Sequence, residues 1–214
     1  MATTSWLESI QGKSFQDVTI DDNQNINTEE FIRAAKSLVT LFERIGGLAL
    51  NQVKDDMNNN ITKVEKRFNE APAECQTLQD LVKNDKSKKA AQGLFWLKLA
   101  LDLTATAIRR NIDNPADELN TSFTSAYEDV LKQHHNFFAK KAFGLAMSSV
   151  PYRKDFYSKI GVAPYLLNAE QEQLPAEQLH TIRDQLSSPL DPEITALQKV
   201  VGILNSFDEL TKCK

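Results

Sequence analysis

The chain has 214 residues, 41% hydrophobic and 25% charged, with a formal net charge of −4. That balance belongs to a globular chain with a large core; it excludes a disordered chain and a nucleic-acid binder that works through overall positive charge. The length fits one domain, read here as residues 1–214 with an N-terminal arm over 1–26.

The two cysteines, Cys75 and Cys213, have no metal-ligand spacing and form no disulfide framework, which points to a reducing compartment. The opening residues lack the basic-then-apolar pattern of a secretory signal, and Met1-Ala2 lacks the glycine of myristoylation. The most apolar run, 94–108, carries Lys98 and Asp102 and is too short and too charged to span a bilayer. A cytosolic protein, peripheral at membranes if it touches them, is the expectation.

Seven glycines are about half the usual share. Few turns then need positive φ, which favours helices over a β-rich fold. Residues 1–26 are polar with scattered anchors, Trp6, Phe15, Val18 and Ile20, and read as an irregular arm. Asn27-Thr28-Glu29-Glu30 reads as a helix start, with Asn27 or Thr28 capping and Glu30 reaching back. Phe31, Ala34, Ala35, Leu38, Leu41, Phe42 and Ile45 follow at helical spacing, and Gly46-Gly47 ends or bends the helix. A second helix covers about 50–69, and a third runs from Pro72 to about Lys83. After a polar loop, a fourth starts near 90 and stops at Ile112-Asp113-Asn114-Pro115. Helices are predicted at about 120–133, 136–149 and 153–160, with 164–175 read as a loop that has room for a short helix. One or two closing helices cover about 176–187 and 192–210. No strand pattern interrupts them.

Catalytic constellations are absent from the pattern: no phosphate-cradling glycine loop, no nucleophile elbow and no metal set. His134 and His135 are adjacent, so on a helix they point about 100° apart and cannot chelate one ion together. One group does stand out. Asp56, Asn60, Lys63 and Arg67 fall at about 0°, 40°, −20° and 20° around a helix. Val53, Met57, Val64 and Phe68 lie beside them at about 60° to 120°. An acid, an amide and a cation bordering an apolar stripe suit a hydroxylated group next to an apolar pocket. A solvated face with i,i+4 pairing gives the same spacing, and both readings stand. The run Leu94-Phe95-Trp96-Leu97-Lys98-Leu99-Ala100-Leu101 is apolar nearly all round and should run through the middle of the fold. Trp96 is either core or a ring offered to a ligand; sugars present apolar C–H faces that stack on indole.

Taken together, these segments resemble the glycolipid transfer protein family. The resemblance rests on Asp56-x-x-x-Asn60-x-x-Lys63 and Trp96-Leu97-Lys98. It continues in Tyr127-Glu128 followed by Lys132-Gln133-His134-His135, and in Pro151-Tyr152-Arg153-Lys154-Asp155-Phe156. It covers about residues 30–160. It implies an all-α two-layer helical sandwich of about eight helices, and a soluble intermembrane carrier of one glycosphingolipid rather than an enzyme. Trp96 would then lie under the first sugar, with Asp56, Asn60 and Lys63 bonding its hydroxyls. Asp56 would also accept from the ceramide amide N–H, and His135 would donate to the ceramide carbonyl. No role carries over to Arg67 or His134.

Phe42, Leu50, Val53, Leu103, Phe143 and Met147 are the expected lining of a hydrocarbon sleeve. Phe137, Tyr152, Tyr157, Lys140 and Arg153, with Lys141 and Lys154, are the expected membrane contact. The expected state is a monomer with no cofactor, no metal and no nucleic acid, making transient contact with membrane surfaces. The alternatives are a carrier of phosphorylated sphingolipid, or a glycolipid sensor or signalling adaptor. Trp96 favours glucosyl- or galactosylceramide over a phosphate head. Arg109 and Arg110 read as surface cations. Two departures bear on selectivity: Gln92 stands where better-known animal members have an apolar residue, and the C-terminus lacks their tyrosine.

Overall fold

The computed structural model of the protein describes residues 5–46, 48–148, 150–162 and 175–212, without the side chains of Leu48, Ala49, Phe138 and Thr211. Among the described residues there are helices and no strands; the β-pairing is two isolated bridges, Ile20 with Ile26 and Asn27 with Thr77.

The N-terminal arm is more ordered than its polar sequence suggests. It forms a short helix α1 (Trp6–Ser9) and a 3₁₀ turn at Phe15–Asp17. Ser5 and Glu8 make a reciprocal cap on α1. Trp6, Phe15 and Val18 are buried, and the Trp6 indole N–H donates to Thr40 Oγ1 at 3.1 Å. The apolar anchors therefore supply the order that local propensity does not.

Helix α2 (Thr28–Ile45) starts on Asn27, whose side chain accepts from the Glu30 N–H at 3.0 Å. Glu30 does not reach back to the cap, as the pattern suggested. Its carboxylate accepts from the Thr19 N–H at 2.6 Å and ties the arm to the helix. Gly46 ends α2 at φ +72°, a conformation that costs a residue with a β-carbon. Gly47 lies outside the described residues.

Helix α3 (Leu48–Glu70) follows. The third predicted helix divides into a 3₁₀ turn at Pro72–Glu74 and α4 (Leu78–Asn84). Thr77 makes the break: its hydroxyl accepts from the Asp80 N–H and starts a new helix. Helix α5 (Lys89–Asp113) begins on Asp85, which accepts from the N–H groups of Ala90 and Ala91 at 2.8 and 2.9 Å. Burial pushes the Asp85 carboxyl up, but the donors from Ala91, Ser87 and Ala90 outweigh it and hold it below the usual carboxylate range. The start of α5 is thus pinned, which fixes the height of every residue along it.

Helices α6 (Leu119–Val130), α7 (Phe137–Met147) and α8 (Arg153–Lys159) come next, with a 3₁₀ turn at Lys132–His134 between α6 and α7. The loop expected over 164–175 lies outside the described residues, apart from Pro175. Helix α9 (Ala176–Asn205) and α10 (Asp208–Thr211) close the fold. Of the two readings the sequence left open, one helix or two, the structure has one: α9 is continuous through Pro189 and Pro192. A proline inside a helix costs about 3 kcal/mol. Ile182, Leu186, Leu190, Ile194, Leu197, Val201 and Leu204 form one buried stripe across both prolines, and α9 packs along α5. At ~1.5–3 kcal/mol for each large buried side chain, tertiary packing outweighs the local penalty.

Helix α5 packs against α3, α6 and α9, and its buried Leu94, Phe95, Leu97, Leu99 and Leu101 face neighbours on all sides. That is the central position its all-round apolarity requires. Glu193 of α9 anchors the arm: its carboxylate accepts from the N–H groups of Phe15 at 3.0 Å and Gln16 at 3.4 Å. Burial pushes this carboxyl above its ordinary value. No helix among the described residues is long and apolar enough to cross a membrane.

Candidate functional site

The contact between α3 and α5 is tight at Gly93. A β-carbon there would stand 3.0 Å from Lys63 Cβ and 3.1 Å from the Asn60 carbonyl oxygen. Glycine lets the two backbones approach, and the polar side chains of α3 are held at that seam.

Three of them form one unit. The Asn60 amide N–H donates to Asp56 Oδ2 at 3.3 Å, and Asn60 Oδ1 accepts from Lys63 Nζ at 2.9 Å. Asn60 is buried, whereas Asp56 and Lys63 are exposed. One fixed amide therefore links an acceptor and a donor that both remain open to solvent. Arg67, one turn on, leaves the stripe and donates to Glu74 and to the Asn84 carbonyl.

Trp96 lies one turn along α5 from Gln92 and Gly93. It is half-buried, and its ring centroid is 6.3 Å from that of His135. His135 follows the Lys132–His134 turn and is also half-buried. Burial pushes its imidazole below the usual histidine range; the Asp56 charge opposes that, and His134 and Lys140 add to it. The influence of Asp56 on His135 joins the α3 cluster to the aromatic pair. Tyr127 of α6 completes the surround, with its hydroxyl 3.2 Å from His135 Nδ1. The Tyr127 ring stacks on Phe143 of α7, centroids 3.6 Å apart and 11° between planes.

The structure thus brings Asp56, Asn60, Lys63, Trp96 and His135 to one place, from α3, α5 and the turn before α7. The set offers a carboxylate acceptor, an ammonium donor, an imidazole and a half-open indole face. No group of three metal-ligating side chains occurs among the described residues. Arg109 bonds Asp191 at 2.5 Å, and Arg110 pairs with Asp129. Two open clefts among the described residues, of about 520 and 360 Å³, share no residue with this cluster and are lined largely by polar side chains, unlike a hydrocarbon site.

Of the expected sleeve, Phe42, Leu50, Leu103 and Met147 are buried, and Val53 and Phe143 pack half-buried on the same core. The expected membrane contact needs correction. Arg153 and Tyr157 are each 0% exposed. Arg153 donates from Nε to Asn111 Oδ1 at 2.9 Å, from a second nitrogen to the Asn111 carbonyl at 2.9 Å, and from the third to the Pro115 carbonyl. The Tyr157 hydroxyl donates to the same Asn111 Oδ1 at 2.9 Å. Sequence shows an arginine and a tyrosine on a polar helix; it does not show the buried acceptors that hold them inward. Phe137 (72% exposed) and Tyr152 (68%) do face outward, as do Lys140, Lys141 and Lys154.

Two residues escaped the sequence reading. Leu145 on α7 is 69% exposed, hidden among other apolar residues of its helix. Gly93 carried a usable signal: a glycine inside a helix costs about 1 kcal/mol relative to alanine, which points to a close approach.

Geometry and fold together define an all-helical protein with a small polar cluster where α3 meets α5. The family profile described as glycolipid transfer protein matches residues 26–162. A glycolipid transfer protein of Aureobasidium melanogenum is 40% identical over 198 residues, covering 91% of this chain and 89% of its own. The crystal structure of HET-C2, a fungal glycolipid transfer protein, superposes with a TM-score of 0.81 at 39% identity, over 95% and 96% of the two chains. A structure described as showing how FAPP2 selects simple glycosphingolipids through this fold gives 0.79 at 22% identity, over 99% and 98%. The chain belongs to the glycolipid transfer protein family.

Proposed function

We propose that this protein binds one glycosphingolipid, holding the sugar head at the α3–α5 seam and the chains in the apolar interior, and moves it between membranes from the cytosol without covalent chemistry. The observation that carries this is the convergence of Asp56, Asn60 and Lys63 on Trp96 and His135, with Asp56 and Lys63 exposed and both rings half-open. In this reading Trp96 lies beneath the first sugar. Asp56 and Lys63, aligned by Asn60, bond its hydroxyls. Asp56 also accepts from the ceramide amide N–H, and His135 donates to the ceramide carbonyl.

The physical task supports such a division. Each CH₂ exposed to water costs about 0.8 kcal/mol, so two bare chains cost on the order of 20 kcal/mol or more. Enclosure by the sleeve, Phe42, Leu50, Val53, Leu103, Phe143 and Met147, removes that cost. Hydrocarbon is uniform, so selectivity must come from the polar end. A head lacking hydroxyls would cover Asp56 and Lys63 without replacing the water they now face, and so would forfeit those hydrogen bonds. A phosphate head is the weaker reading, because Arg109 and Arg110 are engaged by Asp191 and Asp129. Phe137, Leu145 and Tyr152, near Lys140, Lys141 and Lys154 in the chain, are proposed to meet the bilayer.

The test is transfer of fluorescent glucosyl- or galactosylceramide between vesicles, compared with ceramide-1-phosphate. Trp96→Ala, Asp56→Val and His135→Leu should each abolish glycolipid transfer while the helical circular dichroism survives. Full transfer by the Asp56→Val protein would sink the site assignment.

A further inference from the structure

We propose that Tyr127 is a positioning residue of the headgroup site: its hydroxyl donates to His135 Nδ1 and so keeps Nε2–H as the donor offered to the ligand carbonyl. This rests on the reading above, in which His135 donates to that carbonyl.

A neutral imidazole has one donor nitrogen and one acceptor nitrogen, and the partner of one nitrogen decides what the other presents. His135 is neutral near pH 7, since burial lowers its proton affinity below the usual histidine range. Tyr127 stays protonated, since burial, with the nearby Glu128 charge, raises its hydroxyl. Its hydroxyl stands 3.2 Å from His135 Nδ1. Two arrangements satisfy that contact. Either the phenol donates to Nδ1, leaving Nε2–H, or Nδ1–H donates to the phenol, leaving Nε2 as an acceptor. The sp² nitrogen of imidazole is a stronger acceptor than a phenolic oxygen, whose lone pair is shared with its ring. The first arrangement therefore prevails, and a carbonyl can be bound only in that one.

The geometry holds the hydroxyl in place. The Tyr127 side chain is buried, its ring lies flat on Phe143 at 3.6 Å, and its centroid is 5.6 Å from that of His135. The phenol cannot swing away without breaking that stack. With its hydroxyl turned to His135 Nδ1, Tyr127 acts on the cargo through the histidine's tautomer.

The unmodified protein gives a first answer. Long-range ¹⁵N–¹H correlation spectra of His135 at about pH 7.5, a unit above the ordinary histidine value, should show Nε2 protonated and Nδ1 unprotonated. An Nδ1–H tautomer overturns the proposal. Tyr127→Phe keeps the ring and the stack and removes the hydroxyl. It should mix the two tautomers and slow galactosylceramide transfer about tenfold, the loss of one buried hydrogen bond. Full transfer by Tyr127→Phe, with His135→Leu inactive, overturns the proposal and leaves the His135 assignment standing. Full transfer by His135→Leu overturns both.

Discussion

Gly93 of α5 faces Lys63 of α3 with little room between them for a β-carbon, which would stand 3.0 Å from Lys63 Cβ. The same carbon would be 3.1 Å from the Asn60 carbonyl oxygen. The seam that carries the Asp56–Asn60–Lys63 cluster therefore depends on a missing side chain. In Gly93→Ala, overpacking costs about 1–3 kcal/mol and alanine's helix propensity returns about 1 kcal/mol. The expected outcome is a stability loss of up to about 2 kcal/mol in denaturant unfolding, and a larger loss in transfer, about tenfold, as Asn60 and Lys63 shift. Unchanged transfer would show that the contact serves packing alone.

Arg153 holds α8 to α5 through three donors to Asn111 and Pro115, while its backbone N–H donates to Glu118 at 2.8 Å. Arg153→Leu leaves the buried Asn111 and Pro115 oxygens short of donors, at about 1–3 kcal/mol each. Unfolding free energy should fall by about 3 kcal/mol or more. Vesicle binding per folded molecule should hardly change, because this side chain does not reach the surface. A selective loss of vesicle binding with normal stability would restore it as a membrane contact.

His135 should titrate below the ordinary histidine pKa of about 6.5. The sign follows from linkage. A folded-state pKa below the unfolded one means the unfolded chain binds more protons between the two values, so stability falls as pH drops below about 6.5. Asp56 is the one charge pulling this pKa up. Asp56→Asn should therefore lower it further, measured by NMR titration of the His135 ring. A rise in that variant would contradict the arrangement of the cluster.

The exposed apolar side chains of α7 and the following turn should govern membrane contact. Burying a large apolar side chain contributes ~1.5–3 kcal/mol, so Phe137→Ser and Leu145→Ser should each weaken partition onto vesicles about tenfold or more. Tyr152→Ser should act in the same direction. Tyr157→Phe, inside the core, should leave partition unchanged. Sedimentation with phosphatidylcholine vesicles measures all four. Equal effects from Tyr157→Phe and Phe137→Ser would place the docking face elsewhere.

The fold was largely legible from local pattern. The Asn27 cap, the apolar face of α2 and the all-round apolarity of α5 each follow from residue spacing, because helix periodicity and capping act within a few residues. Polar stripe, tryptophan and histidine could likewise be named from their order. What spacing left ambiguous was whether Asp56, Asn60 and Lys63 were a solvated face. That question turns on how close α5 lies to α3, which is a long-range matter.

By itself, then, the sequence determined an all-helical chain and the positions of most helix ends, and it singled out a small set of residues as candidates for a polar site. Tertiary structure decided the rest. It carried α9 through Pro189 and Pro192, because burial along α5 exceeds the local cost of proline. It turned Arg153 and Tyr157 inward, because Asn111 and Pro115, about 40 residues earlier, supply buried acceptors. And it set His135 between Trp96 and Tyr127, where contacts from two other helices, unreadable in its own neighbourhood, govern what the ring can donate.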